Sequence, residues 1–150
     1  MIDFTKSQQY TLSIRLSTDG FSFSIYNPIH DNSLSTIEKE TDTSLSLTAN
    51  LKATFRESDF LNHSYKRVNI MMADKRFTIV PLELFEEEQA ELLFYHNHQK
   101  RENETVICNI LKKNNVAIIF GMDKSAHTFL SEQYPEAHFY SQSTPLIDYF

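Results

Sequence analysis

At 150 residues, with 41% hydrophobic and 13% aromatic content, the chain can bury a real core and is too apolar to be disordered. Its formal charge of −6 is uneven, with 8 basic and 9 acidic residues over 1–75 against 6 and 11 over 76–150, which disfavours a nucleic-acid surface. Two glycines, Gly20 and Gly121, are few for a phosphate-cradling loop, and the single cysteine, Cys108, excludes an internal disulfide.

The first nine residues are polar enough to fray, and they show no apolar leader segment. Tyr10, Leu12, Ile14 and Leu16 then alternate with polar residues, as do Phe21, Phe23 and Ile25 beyond Asp19-Gly20. This pattern predicts a β-hairpin from Tyr10 to Asn27 with Asp19-Gly20 as a two-residue type I′ turn. Such a turn sets Leu16 opposite Phe23 and Ile14 opposite Ile25. A four-residue loop keeps the same parity, whereas a three-residue loop would turn one apolar row outward. Pro28 ends the second strand, turn residues follow over 31–33, and Leu34 to Glu40 form a more polar edge strand.

Thr41 to Ser44 offer helix N-caps, and Leu47, Leu51 and Phe55 recur at helical spacing behind them. Asp59 starts a short turn that buries Phe60 and Leu61. Val68 to Met72 and Phe77 to Val80 read as strands around the turn Ala73 to Arg76. A helix is expected from near Leu82, with glutamates 83, 86, 87 and 88 at its positive end and His96, His98, Lys100 and Arg101 at or beyond the other. Its buried stripe is expected to comprise Phe85, Leu92, Leu93 and His96. Thr105 to Leu111 and Val116 to Phe120 form a second hairpin through Lys112 to Asn115, which Gly121 closes. Asp123 caps a helix to about Gln133, stopped by Pro135, and Ala137 to Tyr140 is a last strand. Ser143-Thr144-Pro145 has the form of a helix start, so more protein is expected to follow residue 150.

Chemistry-bearing constellations are sparse. His96-Asn97-His98 lies two residues apart at a helix end, where imidazoles splay, so no metal site is expected. Glu86-Glu87-Glu88 with Glu91 is a solvated acidic face. Cys108 sits in an apolar run as a small hydrophobe without a nearby base. His30, His63, His127 and His138 are scattered. Gly121-Met122-Asp123-Lys124-Ser125 lacks the upstream glycine of a phosphate-binding loop. No catalytic residue and no metal ligand emerges, and the expectation is a cytoplasmic protein.

The line Leu12 to Tyr26, the segment Phe77 to Phe85 and the tract Phe120 to Ser143 together resemble the DUF3822 family of Bacteroidetes, in the N-terminal half of its longer members. The resemblance implies an actin-like ATPase fold, in which two ribonuclease H-like halves flank a nucleotide cleft. The expected fold is therefore α/β. Residues 1–72 form the first part of a ribonuclease H-like lobe whose mixed sheet starts with the antiparallel hairpin. Residues 73–150 hold a small inserted α+β subdomain and the remainder of the lobe. In that fold the first hairpin tip is a phosphate loop, which places Ser17, Asp19, Gly20 and Ser22 as cofactor-binding candidates. The loop departs from an active pattern, because Asp19 is adjacent to Gly20 and Phe21 replaces a small or hydroxyl residue. The expectation is thus a non-catalytic scaffold or protein-interaction module, with a protein partner or self-association and no nucleic acid, membrane or cofactor. The alternative is a nucleotide-binding protein or weak ATPase using ATP with Mg²⁺.

Overall fold

The period-2 alternation around Asp19-Gly20 is realised as strands β1 (Thr11–Leu16) and β2 (Gly20–Asn27), whose apolar residues, the exposed Tyr26 apart, fall on one buried face. The computed structural model describes residues 3–28 and 33–149; the turn expected over 31–33 falls largely, and His30 wholly, outside them. Parity is as expected, but the pairing is two residues shorter: Leu16 faces Phe21 and Ile14 faces Phe23. The type I′ turn is also corrected, since Gly20 does not have positive φ and the non-glycine residues that do, among those described, are Asn103 and Asn115. Two contacts explain the shift. Ser17 Oγ donates to the Gly20 carbonyl (2.8 Å) and accepts from the Gly20 amide (3.2 Å), leaving Thr18-Asp19 as the tip. The neighbouring strand β3 (Ser33–Glu40) passes so close that a Cβ on Gly20 would stand 2.7 Å from the Lys39 carbonyl oxygen. Gly20 is needed for close approach rather than for a left-handed turn.

Helix α1 (Leu47–Glu57) buries Leu51 and Phe55 as its spacing predicts, but its N-cap is Ser46, which accepts from the Ala49 amide at 3.1 Å. Asp42 and Ser44 instead form a side-chain-closed turn ahead of it. The chain then enters β4 (Arg67–Met72), parallel to β1. With β8 (His138–Ser141), parallel to β4, the first sheet has the order β3-β2-β1-β4-β8. Its buried face packs on α1 and α3 (Lys124–Gln133), the latter capped by Asp123 as expected.

A second, antiparallel sheet has the order β5-β7-β6, built from β5 (Phe77–Pro81), β6 (Glu104–Leu111) and β7 (Val116–Asp123). Gly121 does not close that hairpin; it lies inside β7, where an added Cβ would collide with the Glu104 carboxylate. The helix expected from Leu82 is also corrected. Two 3-10 turns, Leu82–Leu84 and Glu87–Gln89, precede a short α2 (Ala90–Asn97), with Phe85 and Glu86 extended between them. The break lets Phe85 reach the same small core as Val80, Phe94 and Ile119. Its consequence is a rotated stripe: Ala90 and Phe94 point inward, while Leu92 is 71% exposed and His96 faces solvent.

From Asp3 onward the stretch expected to fray is tied to the rest of the fold. Phe4–Gln9 forms 3-10 turns, Ser7 Oγ donates to the Ser64 carbonyl at 2.7 Å, and Phe4 stacks on His63 at 5.2 Å between ring centroids. At the far end α4 (Thr144–Tyr149) begins where the hydroxyl-proline signal places it. The rotated stripe makes a direct test. Leu92→Ser is expected to change stability by no more than about 0.5 kcal/mol, whereas Phe94→Ala costs about 3–5 kcal/mol. Urea denaturation of the two variants reads the difference, and the opposite order would restore the expected stripe.

Candidate functional site

A cavity of about 560 Å³ opens at the carboxyl ends of β1 and β4, where Ser17-Thr18 and Ala73-Asp74-Lys75 leave the sheet. In an open α/β sheet the connections diverge at this end, which makes it the usual place for a ligand. The chain turns from β1 back to β2 on one side and reaches β4 on the other by way of α1, so the crevice lies at a change of strand order.

The first wall is the hairpin tip with the segment after β3. The Thr41 hydroxyl donates to the Thr18 carbonyl at 2.9 Å, and the Thr41 amide donates to the Asp19 carbonyl at 3.3 Å. Asn50, buried in the first half of α1, holds the next turn in place. Its Oδ1 accepts from the Asp42 amide (2.8 Å), and its Nδ2 donates to the carbonyls of Asp42 and Ser46 (both 3.0 Å). Hydrogen bonds from Ser44 keep the Asp42 carboxyl below its ordinary pKa. The opposite wall comes from the second sheet. Asn103, in the left-handed region that asparagine tolerates, donates to Ser125 Oγ at 2.9 Å, and its carbonyl accepts from the Lys124 amide at 2.7 Å. Asp123 accepts from the Ala126 amide (2.9 Å) and the Thr48 hydroxyl (3.3 Å).

Behind this wall lies a buried ion pair. Arg76 Nε and Nη2 donate to the two oxygens of Glu104 at 2.8 and 2.9 Å, and the Tyr95 hydroxyl donates to the same carboxylate at 2.8 Å. Arg76 also donates to the Gln99 carbonyl and lies over the Phe94 ring, 5.1 Å from its centroid. Burial alone would raise the Glu104 pKa, but hydrogen bonds from Arg76 and Tyr95 outweigh it and hold the carboxyl below its usual range. Burial and the bond to Glu104 push the Tyr95 phenol up to about 12.

The four cofactor candidates do not converge. Ser17 borders the cavity, though its amide and hydroxyl are both engaged with Gly20. Asp19 is exposed at the tip, Gly20 is paired to Glu40 within the sheet, and Ser22 lies on the opposite sheet face beside Ser13 and Ser24. Phe21 does not alter the tip by its bulk; it is 2% exposed in the core, edge-on to Phe23. Five carboxylates line the cavity (Asp42, Asp74, Glu102, Glu104 and Asp123) against the cations Lys75 and Arg101. Among the described residues no three His, Cys, Asp or Glu side chains come together as a metal-ligand set.

Other singled-out residues have structural partners. His98 Nε2 lies 3.0 Å from the Phe77 carbonyl oxygen, and its ring packs on Phe94 at 4.6 Å. His127 packs on Phe139, and burial lowers its pKa. Cys108 is half-buried in the small core, where burial raises its thiol pKa. Glu86, Glu87, Glu88 and Glu91 are exposed as expected. The Arg76–Glu104 pair and Asn50 were not foreseen. Asn50 alone left a trace, as a poor helix former set beside Leu51 on the inner face.

The two-sheet layout and the cleft at the carboxyl ends of β1 and β4 define a class, and comparison places the chain in it. A solved protein from Bacteroides thetaiotaomicron VPI-5482, described as having an actin-like ATPase fold and unknown function, is 81% identical with a TM-score of 0.95. The match covers 100% of this chain and 58% of that one, so the chain spans less than two thirds of its relative. The chain therefore has the actin-like ATPase, ribonuclease H-like fold. It belongs to the family described as "Protein of unknown function (DUF3822)", which matches residues 1–150. No curated protein matches it. Among the described residues no helix is long and apolar enough to cross a membrane.

Two predictions follow from the walls of the cleft. Glu104→Gln leaves Arg76 without its counter-charge and is expected to cost about 3–5 kcal/mol in chemical denaturation. Because the folded pKa of Glu104 is depressed, its contribution is complete above the ordinary value of 4.5 and is lost as pH falls through the folded value. The variant should accordingly lose part of the acid limb of the stability profile. Asn50→Ala removes the clamp on the 41–46 turn, and faster amide hydrogen exchange at Asp42 is the expected readout; unchanged exchange would show that Thr41 holds the wall unaided.

Proposed function

We propose that this chain is part of a non-catalytic actin-like scaffold, or protein-interaction module, acting in the cytoplasm through a protein partner or self-association. Nucleic acid, membrane and nucleotide cofactor have no part in this role. The observation that carries the proposal is the state of the hairpin tip. A phosphate-binding loop needs unengaged backbone amides aimed together into the cleft. Here the Ser17 and Gly20 amides are consumed by the hairpin itself, at 3.0 and 3.2 Å. Glu104 and Asp74 are paired with Arg76 and Arg101, and the remaining carboxylates Asp42, Glu102 and Asp123 against Lys75 leave a net negative lining that disfavours a polyphosphate.

The second reading is a nucleotide-binding protein or weak ATPase with Mg²⁺. It draws on the position of the cavity at the carboxyl ends of β1 and β4 and on its volume of about 560 Å³. A divalent cation brought in with the nucleotide would offset the carboxylates, as it does in phosphoryl-transfer sites generally.

Thermal unfolding of the full-length protein with and without Mg-ATP separates the two. The scaffold proposal expects an unchanged midpoint. A ligand at 100 times its Kd stabilises the native state by about 2.7 kcal/mol, so a midpoint raised by several degrees would establish nucleotide binding and end the proposal.

A further inference from the structure

The connection from β5 to α2 spends its aromatic residues on the small core and turns leucines out to solvent. Phe85, Ala90 and Phe94 pack inward with Val80 and Ile119. Leu84, next to Phe85, is consequently 68% exposed, and Leu92, on the far side of α2 from Phe94, is 71% exposed. Left in water, these two side chains add little to the hydrophobic stabilisation of the fold. The same stretch carries the charge of the chain. Residues 77–99 include Glu83, Glu86, Glu87, Glu88 and Glu91 with no lysine or arginine, whereas the remainder holds 14 basic and 15 acidic residues. All five glutamates are exposed, and among the described residues no ion pair involves them. The flanking cations are engaged elsewhere: Arg76 with Glu104, Arg101 with Asp74 at 3.8 Å, and Lys100 over the Tyr95 ring at 5.8 Å. Glu87 also stands near enough to Cys108 on β6 for its charge to add to burial in raising the thiol pKa, so the field reaches the flank of the small sheet.

We propose that the outer side of this stretch docks a basic amphipathic segment of a partner protein. Its apolar residues cover Leu84 and Leu92, and its lysines and arginines face the surrounding glutamates. The inference rests on the interaction-module reading and supplies the chemistry of the partner. Charge complementarity selects this occupant. A second copy docked through the same surface would set five carboxylates against five, since a two-fold contact apposes identical patches. An anionic lipid surface or a nucleic acid would be repelled by the same field. An apolar partner without cations would desolvate glutamates that have no counter-charge, which costs more than burying two leucines returns. A basic amphipathic segment alone gains from both features at once.

Selection from a random phage-displayed library of peptides of about 16 residues, roughly four helical turns, on the immobilised full-length protein tests the proposal. The selected peptides are expected to carry net positive charge together with large apolar residues. Synthesised singly, they should bind Leu84→Ser/Leu92→Ser at least about tenfold more weakly than the unchanged protein. Both leucines are exposed, so the double variant is expected to keep its urea midpoint. Glu87→Gln/Glu91→Gln provides a second arm that removes no packing: binding should weaken and lose part of its dependence on salt. Selection of acidic or uncharged peptides, or of none, would overturn the proposal. So would equal binding to the unchanged protein and to either double variant. Thermal unfolding with Mg-ATP keeps the two readings apart. A raised midpoint with peptide binding intact would end the non-catalytic reading and leave the docking surface standing, whereas an unchanged midpoint with no peptide selected would overturn the surface alone.

Discussion

Strand β1 is the constraint on which the rest of the structure depends. It is hydrogen-bonded on both sides, antiparallel to β2 and parallel to β4, and every second side chain is sealed in the main core. A one-residue slip would bury Ser13 and Arg15 and expel Leu12 and Ile14, so its register has a single solution. From that solution the remainder follows. The carboxyl end of β1 sets the position of the cleft, and its outward residues Ser13 and Arg15 line a depression on the other face of the sheet.

The second constraint is the Arg76–Glu104 pair. It ties the connection after β4 to the first residue of β6 and so fixes how the small sheet meets the cleft. A buried ion pair of this kind contributes little net stability when intact, since desolvating both charges offsets their attraction, yet losing one partner is costly. The geometry demands room for the carboxylate, and Gly121 provides it. Both glycines of the chain thus serve close packing, Gly20 against β3 and Gly121 against Glu104. Neither is left over to shape a phosphate loop.

Local signals in the sequence carried well where one interaction range dominates. The alternation in the first hairpin, the spacing of Leu51 and Phe55, the Asp123 cap and the helix start at Thr144 all rest on contacts a few residues apart. Failures occurred where a distant neighbour overruled the local preference. Type I′ geometry lost to the passage of Lys39 past Gly20. A continuous helix from Leu82 lost to the pull of Phe85 toward the small core, which turned Leu92 outward. His63 and His127 had no recognisable partners because Phe4 and Phe139 reach them only after folding.

The sequence by itself determined which face of each early strand is apolar, the order of the main elements and the family likeness, because period, capping and turn chemistry are written in neighbouring residues. Only the tertiary structure decided that Ser17, Asp19, Gly20 and Ser22 part company, that the Ser17 and Gly20 amides beside the tip are spent within the hairpin, and that carboxylates from both sheets line the cleft. Those outcomes depend on side chains far apart in the chain, such as Arg76 and Glu104 or Thr48 and Asp123, meeting across a fold that no local pattern encodes.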